Sequence, residues 1–83
     1  MSQPLAVKVT KSGIAFSVCV EFVHRECFIT NEALVKLAAQ MFEILGPVQT
    51  FRELEGNITG VARRLVHAGV QGTPLRLTPN TFQ

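Results

Sequence analysis

The chain contains no aspartate, no tryptophan and no tyrosine, and only two cysteines. Each absence excludes something. Paired-carboxylate catalysis would have to draw on six glutamates scattered over polar faces. A nucleophile needs a base and an orienting group beside it, and the two histidines fall in an expected turn (His24) and near an expected helix end (His67). No glycine-rich loop joins a strand to a helix, so phosphate cradling has no support. A chain this short also has little material with which to enclose a pocket of a few hundred Å³. The expectation is a non-enzymatic protein with no catalytic residue, no cofactor and no small-molecule substrate.

Charge is also sparse. Charged residues make up 17% of the chain and the net charge is +2. The eight Lys and Arg are spread along the sequence, unlike the concentrated basic stripe of a dedicated nucleic-acid binder. No apolar run approaches the roughly 18 residues a membrane span needs, so no membrane partner is expected. The start, MSQPLAVKVTK, lacks a charged-then-apolar signal layout, and the expected location is cytoplasmic. Two cysteines form no disulfide framework. The one zinc-like set is Cys19, His24, Cys27 and His67. Its spacing does not match paired ligands, and strand parity puts the two cysteines on opposite faces. No metal is expected, and Cys27 reads as a small core residue.

What is present is a pattern of elements. Eighty-three residues make one domain, 1–83. A chain of that size buries only about 60–65% of its unfolded surface, so self-association would be a natural supplement to a marginal core.

Residues 5–9 alternate as a strand, with Leu5, Val7 and Val9 on one side. Lys11-Ser12-Gly13 reads as a turn in which glycine supplies an unusual backbone angle. From Ile14 to Phe22 the alternation is clearest: Ile14, Phe16, Val18, Val20 and Phe22 point one way. Val23-His24-Arg25 is expected to turn the chain, and Glu26–Thr30 to return as a third strand.

Thr30 is the expected N-cap of a helix from Asn31 to Leu45, with Glu32 in its first turn. Its apolar stripe runs through Leu34, Leu37, Ala38, Met41 and Leu45, widened by Val35 and Phe42. That width suits either a wedge between the sheet and a second helix or a surface covered by another molecule. Gly46-Pro47 is expected to end this helix.

The period then predicts one long helix over Thr50–Gly69, with Phe51, Leu54, Ile58, Val61, Ala62 and Leu65 on a single stripe. Thr50 and Glu53 have capping-box spacing, Arg63, Arg64 and His67 sit near the negative end of the dipole, and Gly69 suits the left-handed close. Gly56 and Gly60 lie four apart on the opposite side. They are either a bare strip for close approach by a second copy or a tolerated cost of roughly 1 kcal/mol each on a solvated face. Arg52, Arg63 and His67 are expected on that same back face, where they are either an anion contact or a solvated complement to the dipole. Leu75 and Leu77 make a short last strand that Pro74 restricts to a start or an edge, and the end frays unless Phe82 docks.

The elements add up to an α+β fold: an antiparallel sheet of three to four strands, in the order β-β-β-α-α-β, with two helices packed on one face.

At ECFITNEAL (Glu26–Leu34) and again at Phe51–Gly69 the chain resembles a small bacterial family catalogued as domain of unknown function 1488. Cys27, Ile29, Thr30, Glu32, Ala33 and Leu34 match the first motif, with threonine for serine. Phe51, Arg52, Ile58, Ala62, Arg63 and Arg64 match the second. The chain departs at the turn, where the family often has glycine and His24 stands here. The resemblance implies a compact α+β domain of bacterial source, and neither an activity nor a catalytic residue.

The leading expectation is therefore an accessory domain that acts by self-association, as a homodimer, or by binding another protein. Val35, Phe42, Gly56 and Gly60 are its candidate interface. The alternative is a small nucleic-acid-binding regulator using Arg52, Arg63, Arg64 and His67, with Lys36.

Overall fold

The computed structural model describes residues 7–41, 46–70, 72 and 74–82. Four strands form one sheet in the order β1 (Lys8–Val9), β2 (Gly13–Val20), β3 (Val23–Thr30), β4 (Leu75–Leu77). Between β3 and β4 come α1 (Asn31–Gln40), α2 (Pro47–Glu53) and α3 (Glu55–His67), and a 3-10 turn over Pro79–Phe82 follows β4. The α+β architecture stands. The sheet is mixed, however: β1, β2 and β3 pair antiparallel, whereas β4 pairs parallel to β3. The long helical connection carries the chain back to the start of β3's neighbour, and a crossover of that kind yields a parallel pair.

Parity decides which sheet face is covered. Ile14, Phe16 and Val18 are buried, as are their neighbours Cys27, Ile29, Leu75 and Leu77, while Cys19, His24, Glu26 and Arg76 on the other face are exposed. The helices close the apolar side with Leu34, Leu37, Phe51, Ile58 and Ala62. At the centre the ring of Phe51 tilts against Phe16, with centroids 5.3 Å apart.

Two turns differ from the sequence reading. Thr10, not Gly13, builds the first: its hydroxyl donates to the Gly13 carbonyl (2.9 Å) and accepts from the Ser12 and Gly13 N–H groups. Gly13 belongs to β2 without a left-handed backbone. A β-carbon there would collide with the Ile29 carbonyl oxygen and come within 2.9 Å of the Phe28 ring, so glycine serves close strand approach. The second turn is Glu21-Phe22, because Val20 pairs with Val23. Val23-His24-Arg25 lie in β3 instead. Both turn residues have positive φ, 52° and 67°, the signature of a two-residue type I′ hairpin that normally calls for Asn-Gly. Phe22 is accordingly not on the buried row. It projects at the tip, 99% exposed.

Thr30 caps α1 as expected, its hydroxyl accepting the Ala33 N–H at 3.2 Å. That helix closes at Met41, well before Pro47. Residues 42–45, which include Phe42 and Leu45, lie outside the described residues, as do residues 1–6 with Leu5. Pro47 starts α2 at its first position, where its missing N–H costs nothing.

The single helix expected over Thr50–Gly69 is therefore two. Thr50 is inside α2 and fully buried, its N–H and its hydroxyl both donating to the Gly46 carbonyl at 2.9 Å, so the Thr50/Glu53 capping box does not form. The break at Leu54 lies beside Gly56, where no side chain resists bending. There the Thr59 hydroxyl bonds back to the Glu55 and Gly56 carbonyls (2.8 and 3.3 Å). The far end closes as expected. Gly69 has φ 82°, its N–H reaches the Val66 carbonyl, and the Val70 N–H reaches that of Leu65, a Schellman close.

The 3-10 turn is tied down by the Lys36 ammonium, which donates to the Pro79 carbonyl at 3.1 Å, and by Phe82 packing on the core. Among the described residues, no helix is long and apolar enough to cross a membrane.

Non-glycine residues held at positive φ cost of order 1–3 kcal/mol. Replacing Glu21-Phe22 by Asn-Gly should therefore raise the unfolding free energy by about 1–3 kcal/mol, read by urea denaturation followed by circular dichroism.

Candidate functional site

The expected interface residues do not converge. Val35 stands out from α1, 66% exposed. Gly56 and Gly60 are on α3, Gly56 exposed and Gly60 half-buried, and a β-carbon on either would meet nothing within 4 Å. α1 packs mainly on α2 and the C-terminal turn, α3 mainly on β2, so these positions belong to separate surfaces. The expected basic face also divides. Arg52 is on α2, while Arg63, Arg64 and His67 are exposed toward the end of α3. The helix break separates the two groups, and Lys36 is occupied at Pro79.

The structure instead gathers apolar side chains that the sequence reading treated singly. Val7, just before β1, Val9, in that edge strand, and Val48, on α2, are 42%, 54% and 39% exposed. Together with Ile14, Phe51, Arg52 and Glu55 they line a groove of about 390 Å³. The reason is local. Pairing with Ile14 turns Val9 toward the helix side of the sheet, but β1 is the edge strand. α2 is only seven residues long and leaves that corner partly uncovered. Among the described residues the side chains of Arg52 and Glu55 make no hydrogen bond or ion pair. The signal in the sequence was the alternation of Val7 and Val9. The place of Val48 depended on the unrecognised start of α2.

A second hollow, about 340 Å³, is lined by Ala15, Phe16, Ser17, Glu26, Cys27 and Pro74. Cys27 is the only thiol there. It is buried, its sulfur lies 3.8 Å from the Arg25 carbonyl, and burial raises its pKa against a smaller lowering by the Arg25 charge. Among the described residues the ionisable side chain that shares this hollow's lining with the thiol is Glu26, and no histidine lines it. Cys19 and His24 oppose each other across the β2–β3 hairpin on the exposed sheet face, away from Cys27, and His67 is at the end of α3. Among the described residues no three His, Cys, Asp or Glu side chains cluster as a metal site.

Arg25 reaches across to the Gly72 carbonyl at 3.1 Å, and the Asn31 amide donates to the Lys11 carbonyl at 2.7 Å. Neither long-range tie is visible in local sequence pattern.

The chain matches no protein-family model, no curated protein and no solved structure.

The two thiols should behave differently. A disulfide reagent at pH 8 should modify one thiol per folded chain, Cys19, and two after denaturation. Rapid reaction of both in the folded protein would contradict the burial of Cys27.

Proposed function

We propose that this protein is a non-enzymatic accessory domain that works by contact, through self-association at the groove between β1 and α2. The observation that carries this is the grouping of Val7, Val9 and Val48, three exposed valines, in one groove rather than their dispersal. Single exposed apolar residues are ordinary, whereas contiguous ones with a polar rim mark interaction sites. The small size of the chain supports the same reading, since covering that groove would add buried apolar surface to a limited core.

Membership of the bacterial family of unknown function 1488 is part of the proposal. Its two motifs coincide here with structural roles. Cys27, Ile29, Ala33, Leu34, Phe51, Ile58 and Ala62 are core and Thr30 is a cap. The remaining motif members, Glu32, Arg52, Arg63 and Arg64, are exposed, so it is the buried members that support the fold the resemblance implies.

Light scattering with refractive-index detection, which needs no Trp or Tyr, tests the reading. The mass should rise from 9.1 kDa toward twice that value as concentration increases. A mass of 9.1 kDa throughout, combined with retention on a mixed nucleic-acid pool at low salt, would replace it with the reading based on Arg52, Arg63, Arg64 and His67.

A further inference from the structure

Phe22 has no role in the core and is held where an aromatic residue is costly to hold. It stands at the hairpin tip, fully solvent-exposed, at φ 67° after Glu21 at φ 52°. Val23 beside it is also exposed. An aromatic knob on a rigid two-stranded support is the form of an interface anchor, and such anchors seat in desolvated pockets. The groove between β1 and α2 is a candidate pocket in the same chain, with Val7, Val9, Ile14, Val48 and Phe51 as its apolar lining.

Resting on the self-association reading, we propose that Phe22 of each copy seats in the β1–α2 groove of the other, in a closed two-fold pair. Two features argue for a second copy as the occupant. The first is charge. Glu21 precedes the knob and Arg52 lines the groove, and among the described residues neither side chain has a hydrogen-bond or ion partner. The second is placement. The knob follows the C-terminal end of β2, while the groove takes Ile14 from its N-terminal end, roughly 20 Å away at about 3.4 Å per residue. Two copies laid side by side with β2 antiparallel bring each knob to the other's groove. The same contact is then made twice about one axis and no binding surface is left open.

The test uses Phe22→Ser, which removes the knob, and Val48→Arg, which fills the groove, with mass read by light scattering. Wild type should be a dimer and each variant a monomer at the same concentration. An equimolar mixture of the two variants should regain dimer, because one supplies an intact groove and the other an intact knob. A variant that failed only through misfolding would not be rescued by mixing. The Asn-Gly replacement of Glu21-Phe22 gives a second check, since it should fold more stably than wild type yet remain monomeric. A wild-type dimer that persists in Phe22→Ser, or two monomeric variants that stay monomeric when mixed, would overturn the knob-in-groove pair while leaving self-association standing. A wild type that is monomeric at every concentration would overturn both.

Discussion

The fold depends on the contact of Phe51 with Phe16. β2 and β3 present one apolar row each to the same side, and a sheet with one bare apolar face is not stable in water. Phe51 is the large side chain that covers the middle of that face, its ring 5.3 Å from that of Phe16 and almost fully buried. Seating it fixes where α2 must lie. Thr50 is carried into the interior beside it and finds its partner in the Gly46 carbonyl. The helix is interrupted at Leu54, whose φ is −112° and ψ 19°, and beyond it Ile58 and Ala62 of α3 are fully buried.

Most of this was legible in the sequence. Period-two alternation gave β2 and the buried row through Val18, and the three-and-four spacing gave Phe51, Ile58 and Ala62 as core with Leu54 and Leu65 packed on it, whereas Val61 is not in that cluster and Thr59 is buried instead. The Thr30 cap and the Gly69 close carried their own local chemistry. What was not legible had physical causes. Pro47 is compatible with ending one helix or starting another, and only the position of Phe51 decides. The Thr50/Glu53 spacing mimics a capping box, but burial and the Gly46 carbonyl take the threonine hydroxyl first. The hairpin tip was misplaced because Phe22 extends the alternation by one step, and nothing local marks a Glu-Phe pair as a type I′ turn. The parallel pairing of β4 follows from the path of the helices, which a three-residue strand does not encode.

The same limits explain the site. In the sequence, Val35 and Phe42 widen the apolar stripe of the first helix and Gly56 and Gly60 leave a bare strip on the second, which is why these four were the expected interface. Of the described members, Val35 is on α1 and the two glycines on α3. The groove is composed from separate stretches, Val7 and Val9 at β1, Ile14 in β2 and Val48 with Phe51 in α2, so no single stretch announces it. What links the groove to the hairpin tip is a conflict between local preference and the observed backbone at Glu21-Phe22. Such conflicts fall at working positions more often than elsewhere.

The central claim is that the protein works through contact at the groove, and a concentration series of ¹⁵N–¹H correlation spectra tests it most directly. The account predicts that amide shifts on concentration cluster at Val7, Val9, Val48 and Arg52, and at Glu21 to His24, with the rest of the sheet unchanged. Shifts confined to α1 around Val35, or to Arg63, Arg64 and His67, or absent at all concentrations, would contradict it.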